Sequence, residues 1–220
     1  MSNLNGLDIN SNFELDDYIS AHIEPQEELL KALYRETCLK TVNPRMASGH
    51  IQGTFLKMLV LMIHPKNVLE LGTFTAYATL SMARGLEEDA HLDTIEINDE
   101  LEPLITKYLE KSDLKDRITL HIGDALKIVP KLGTMYDMVF VDAEKRDYPA
   151  YYDMLFEYVN HGGYIIADNT LWDMHVIDKA YDNDAQTVAI RRFNDIVASD
   201  NRVEVCIVPL RDGLTIIRKK

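Results

Sequence analysis

The chain has 220 residues, 46% of them hydrophobic, with a formal net charge of −13 and a pI near 4.9. That length and apolar content suit one domain, residues 1–220, around one substantial core. The acidic balance weighs against a nucleic-acid partner. Cys38 and Cys206 are too few and too distant to frame a disulfide scaffold, which fits a reducing cytoplasm. The opening MSNLNGLDIN is too polar for a signal peptide. The most apolar stretch, residues 55–63, is interrupted by Lys57 and too short to cross a bilayer, so no membrane partner is expected.

Residues 1–12 read as a loose tail. Residues 15–41 carry a helical pattern in which Asp16 or Asp17 serves as a cap and Pro25 opens a second segment, with Glu27 and Glu28 in its first turn. Leu29, Leu30, Leu33 and Tyr34 form its apolar stripe. Residues 1–45 thus form a helical N-terminal extension, expected to pack across the ligand edge of a sheet or against another subunit. Asn-Pro and Ser-Gly content makes residues 43–49 a loop. The helix at residues 52–63 is apolar almost all round, which predicts burial on more than one side.

The next stretch, VLELGTFTAYATL from Val68, organises the chain. Residues 68–71 are too short for a helix and suit a buried parallel strand. Gly72 permits a sharp turn where a Cβ would be penalised. Thr73 or Thr75 is the expected cap of the following helix, whose Ala76, Leu80 and Ala83 face the sheet. Strand and helix then alternate: strands at 92–97, Ile118–Ile122, Tyr136–Val141 and 163–167, and helices from Asp99, over 148–159 and over Ala185–Ser199. Val203–Val208 and residues 214–217, joined through Asp212-Gly213, close the chain as a hairpin. The pattern predicts an α/β, doubly wound, Rossmann-like sheet.

The glycine-poor turn offers neither G-x-G-x-x-G nor a phosphate loop, so pyrophosphate is not its ligand. Glu70 beside the turn would repel a pyrophosphate and attract an ammonium, which suits S-adenosylmethionine. Each strand from the first to the fifth ends in an acid: Glu70, Glu96, Asp124, Asp142 and Asp168. In an open α/β sheet these ends line the ligand crevice. Glu96 stands where it can hold ribose hydroxyls and Asp124 where it can reach the adenine amine, although each is singly also a helix cap.

Asp142, Asp168 and Asn169 form a second set, on strand tips expected about 5 Å apart. Two carboxylates and an amide oxygen suit Mg²⁺ or a similar cation such as Mn²⁺ or Ca²⁺; two N-caps and a turn amide are the alternative. Lys145, in a loop three residues past Asp142, is expected to have a lowered pKa beside a cation and a sulfonium, which would equip it as a general base. Trp172, the only tryptophan, walls an aromatic substrate or belongs to the core. The histidines lack zinc-site spacing.

The pieces LELGTFTAYATL, FVDAEKRDY, ADNTLW, AIRRFND and PLRDGLTIIRK resemble the cation-dependent class I O-methyltransferases that include catechol and caffeoyl-coenzyme A O-methyltransferases, in a bacterial-type member. The likeness runs from about Met46 to the C-terminus. It implies a seven-stranded, mostly parallel sheet with an antiparallel last strand, usually in a dimer. Carried over by position, Ser48, Glu70, Gly72, Thr73, Ala78, Glu96, Asp124, Ala125 and Asp142 would bind S-adenosylmethionine. Asp142, Asp168 and Asn169 would bind the cation, Lys145 with Asp142 would be catalytic, and Met46 and Trp172 would border the acceptor.

The sequence departs from the family pattern at Ala76 and Met174, where glycines are common, at Ala78, where a serine often meets the cofactor carboxylate, and at Arg211, which replaces a glycine. The implied acceptor is a small molecule with vicinal hydroxyls, catechol-like or phenolic. A hydroxylated uridine of transfer RNA, methylated by some bacterial members, is the alternative acceptor. A cofactor-binding protein without catalysis is the third reading.

Overall fold

The computed structural model describes residues 9–220, with side chains from Glu14 onward; the expectation for residues 1–8 lies outside them. Helix α1 (Ile9–His22) and helix α2 (Glu28–Lys40) bracket Pro25. Residues 9–12 are therefore helical rather than loose, and Asp16 and Asp17 lie inside α1 instead of capping it. A short 3₁₀ turn, Pro44–Met46, leads into α3 (Gly49–Ile63). The alternating part follows as β1 (Asn67–Leu71), α4 (Tyr77–Ala83), β2 (His91–Glu96), α5 (Glu102–Lys111), β3 (Ile118–Ile122), α6 (Ala125–Leu132), β4 (Tyr136–Val141), α7 (Tyr148–Tyr158), β5 (Val159–Ala167) and α8 (Ala185–Ser199). The chain closes on β6 (Val203–Val208) and β7 (Leu214–Lys219).

The seven strands form one sheet in the order β3-β2-β1-β4-β5-β7-β6, with only β7 running antiparallel to its neighbours. Strand order reverses between β1 and β4, and this is where an open α/β sheet opens its crevice. Both faces are covered, which is why the central strands are apolar without a break. By the two-residue period, Val68, Met138 and Phe140 pack on Leu56, Leu59 and Val60 of α3 and Met82 of α4. Leu69, Leu71, Val139 and Val141 pack on the opposite face with Tyr148, Tyr152 and Leu155 of α7 and Phe193 of α8. Glu70 shares the face of Val68, so its carboxylate projects toward α4. A third cluster joins Leu30 and Leu33 of α2 to Tyr77, Leu80, Ile105 and Tyr108, so the helical extension packs on the crevice side of the sheet.

Helix α3 is buried on one face only: Met58, Leu61 and Met62 are exposed, where burial on more than one side was expected. With the turn before it, Pro44–Ile63 is long and apolar enough to cross a membrane by length and composition alone. That run exceeds the short apolar stretch considered above, yet Leu56, Leu59 and Val60 are built into the core. Helix α6, with Pro130 inside it, is additional to the elements expected from the sequence. Neither Thr73 nor Thr75 caps α4. The N-cap is Ala76, at φ +71°, while Thr73 and Thr94 hydroxyls meet at 2.5 Å and Thr37 of α2 donates to Thr75 at 2.9 Å. These hydroxyls tie the turn sideways to β2 and α2.

Candidate active site

The backbone ladder continues one residue past the strands. Gly72 N donates to Ile95 O, Asp142 N to Leu71 O and Asp168 N to Val141 O. The tips of β2, β1, β4 and β5 therefore end level, with their acids side by side. Gly72 makes this possible: at φ +95° an added Cβ would lie 2.0 Å from Asp142 O. The turn after β1 rests directly on the turn after β4.

Glu70 is fully buried. Its Oε2 accepts the hydroxyls of Thr79 on α4 and Thr94 on β2, while Oε1 has no hydrogen-bond partner among the described residues. Burial pushes its pKa up to about 8 against the pull of the two hydroxyls. A buried oxygen without a donor is costly, which leaves Oε1 an acceptor for a donor from outside the chain. Glu96 accepts from Phe74 N at 2.7 Å and Asn98 N at 2.9 Å, which fixes its carboxylate at the β2 tip, and burial raises its pKa. Thr73 is buried with its hydroxyl against that of Thr94, and Ala78 is buried in α4.

Asp124 is the N-cap of α6, accepting from Leu126 N at 3.0 Å, with Lys127 3.0 Å from its other oxygen. Lys127 holds its pKa below the usual range. Asp124 is thus the helix cap offered above as the alternative, and Ala125 beside it is buried. Ser48 is buried at the start of α3. Met46, 57% exposed, ends the short turn before α3. Trp172 is half-buried and packed against the α7–α8 core. Trp172, Asp173 and Met174 have φ of +49°, +49° and +63°, a left-handed turn that explains why glycine suits position 174.

Lys145 corrects the expectation most sharply. It is no solvent lysine: it is 8% exposed, with Nζ donating to Asp142 Oδ1 at 2.7 Å and to the Tyr148 hydroxyl at 3.0 Å. Burial lowers its pKa, but Asp142 and Tyr148 raise it further, and the net direction is upward. The expected fall counted only positive neighbours; the chain supplies a carboxylate in contact. The Tyr148 hydroxyl in turn lies 3.1 Å from Val141 O and 2.9 Å from Asp168 O, bracing both strand tips.

Asp168 is buried and accepts from Gln52 Nε2 at 2.6 Å and Asn169 N at 2.7 Å. Burial, with Asp142 adding repulsion, pushes its pKa up to about 6. Asn169, at φ +59°, donates from Nδ2 to Asp212 Oδ2 at 3.3 Å. Among the described residues no three His, Cys, Asp or Glu side chains assemble as a metal centre. The donor set of Asp142, Asp168 and the Asn169 amide nevertheless fits a hard divalent cation, because two neighbouring acids with one lysine, held by Asp142, leave negative charge uncompensated.

Gln52, Tyr148 and Asp212 were not singled out from the sequence as functional. A lone amide in the apolar helix α3 was the signal for Gln52; nothing local distinguished the other two.

A profile of the O-methyltransferase family matches residues 18–220. The chain belongs to that family. It is an S-adenosylmethionine-dependent O-methyltransferase of the caffeoyl-CoA O-methyltransferase-like class. It is 34% identical over 216 residues to caffeoyl-CoA O-methyltransferase 2 of Populus trichocarpa, covering 91% of this chain and 86% of that protein. It is 33% identical to caffeoyl-CoA O-methyltransferase 1 of Arabidopsis thaliana, covering 94% and 84%. Among solved structures, an O-methyltransferase from Bacillus cereus in complex with SAH superposes with a TM-score of 0.88 at 27% identity, covering 94% of this chain and 97% of that one. The O-methyltransferase TomG from Streptomyces achromogenes, in complex with SAM, gives 0.85 at 28%, covering 94% and 96%. The seven-stranded methyltransferase sheet expected from the motifs is therefore the fold of this methyltransferase.

Proposed function

We propose that this methyltransferase moves a methyl group from S-adenosylmethionine to a hydroxyl of a small acceptor with vicinal oxygens, catechol-like or phenolic, with a divalent cation held at Asp142, Asp168 and Asn169. The observation that carries the reading is the pairing of β4 with β5, which sets Asp142 beside Asp168 with Lys145 against Asp142.

When bound, the sulfonium supplies the electrophilic methyl and the cation polarises the acceptor oxygens. Glu70, through its unpartnered Oε1, takes the donor's ammonium, and Glu96, fixed by two backbone N–H groups, takes the ribose hydroxyls. Asp142 joins the two halves of the site, since Gly72 presses on its backbone while its side chain meets Lys145. Lys145 Nζ, kept charged in the ligand-free chain by Asp142 and steadied by Tyr148, would take the acceptor's proton only where a bound cation and the sulfonium offset that carboxylate. Met46 and Trp172 close the acceptor side and exclude water.

The deciding experiment offers purified protein with labelled S-adenosylmethionine and Mg²⁺ a panel of catechols beside undermodified transfer RNA. Label in the catechols supports the reading. Label confined to the RNA, or none in either, refutes it.

A further inference from the structure

The contact between Gln52 and Asp168 belongs to a longer chain of hydrogen bonds that reaches Arg211, the residue standing where the family commonly has glycine. Arg211 Nη1 donates to Gln52 Oε1 at 2.6 Å and to Ser48 O at 2.6 Å, and Nη2 donates to Arg45 O at 3.1 Å. Gln52 Nε2 then donates to Asp168 Oδ2 at 2.6 Å. Gln52 and Asp168 are both buried. Arg211 sits at φ +50°, a left-handed conformation that any side chain but glycine enters at a cost.

A glutamine amide has two ends of nearly equal size and opposite hydrogen-bonding character. Set against Asp168 alone, it is free to swing away or to turn over. A guanidinium only donates, so Arg211 captures the oxygen end and leaves the nitrogen end facing Asp168. The same guanidinium pins the carbonyls of the strap before α3, where Met46 and Ser48 lie.

We propose that Arg211 and Gln52 are positioning residues: Arg211 fixes the Gln52 amide so that its nitrogen holds the Asp168 carboxylate in one orientation at the β5 tip. The assignment rests on the reading of Asp168 as a cation ligand, because its consequence is a ligand oriented before the cation arrives. Outer partners of this kind typically change metal affinity 10- to 100-fold when removed.

Two measurements test it. Calorimetry with Mn²⁺ alone is expected to show binding weakened about 10- to 100-fold in Gln52→Leu, with S-adenosylmethionine affinity unchanged, and about 10-fold in Arg211→Met. The Gln52→Leu/Arg211→Met double variant is expected to match Gln52→Leu, since Arg211 acts through Gln52. Equal losses from Arg211→Met in both backgrounds would overturn the proposal. The second measurement needs no metal and no change at Gln52: hydrogen exchange of the Gln52 side-chain amide by NMR. It is expected to be slow in the wild-type protein and at least about tenfold faster in Arg211→Met, because a lost hydrogen bond exposes the amide to solvent. Identical rates overturn the strut. Wild-type protein that takes up no Mn²⁺ refutes the cation reading alone, and the exchange rates then decide the strut.

Discussion

Lys145 Nζ donates to Asp142 Oδ1 at 2.7 Å, and the lysine reaches it from within the first turn after the strand that carries Asp142. The pair is shielded from solvent and braced by Tyr148, so it acts as one unit. Lys145→Met is expected to lower kcat by about 10²- to 10⁴-fold, the usual worth of a positioned proton acceptor, with methyl-donor affinity nearly unchanged. Lys145→Arg keeps the charge but cannot deprotonate, and is expected to stay as inactive as Lys145→Met. Recovery in the arginine variant, measured in steady-state turnover, would reduce Lys145 to a fixed charge.

Glu70 gives the donor side of the site a pH signature. Its pKa is pushed from 4.5 up to about 8 in the ligand-free chain. Between those values the folded protein keeps a proton that the unfolded chain has released, so stability falls as pH rises through that window. Asp168, pushed up to about 6, adds the same sign over its lower part. Binding an ammonium requires the ionised carboxylate, so S-adenosylmethionine is expected to expel a proton near pH 7. Calorimetry in buffers of different ionisation enthalpy should show that release in the wild type and none in Glu70→Gln, which is expected to bind the donor about 10- to 100-fold more weakly, as for a lost charged hydrogen bond.

Much of this arrangement was legible in the sequence. The run VLEL, both faces covered, reads as a buried strand, and the acids at the strand ends follow from the period of the alternating pattern. What escaped were side-chain partnerships, whether three residues apart, as at Lys145, or between distant segments. Lys145 looked like a loop lysine because no local pattern shows that Tyr148 and Asp142 fold over it. Gln52 was hidden at the start of an apolar helix, 116 residues from its partner Asp168. Thr73 and Thr75 carry the residue type of a cap, yet tertiary partners on β2 and α2 claim their hydroxyls. The start of α1 was misplaced because its polar sequence has no apolar stripe to mark it.

Gly72 is expected to tolerate no side chain. In Gly72→Ala the Cβ would meet a backbone carbonyl rather than a movable side chain, at a positive φ. The expected loss is about 3 kcal/mol or more, typical of overpacking combined with backbone strain. Denaturant unfolding reads it directly; a loss within about 0.5 kcal/mol would contradict the close seating of the β1 and β4 turns.

Ala76 offers the opposite case. It holds φ +71° with a Cβ, so Ala76→Gly relieves strain of about 1 kcal/mol and is expected to raise Tm by roughly 2–4 °C. A lowered Tm would show that the Ala76 methyl group, buried between α2 and α5, contributes more through packing than its backbone costs.

The proposed chemistry requires the acids at the tips of β4 and β5 to hold a cation during turnover. The direct measurement is the initial rate of catechol methylation by protein stripped with a chelator, before and after Mg²⁺ is returned in excess. Loss of turnover with full recovery on Mg²⁺ is the expected result. An undiminished rate in the presence of chelator would contradict it.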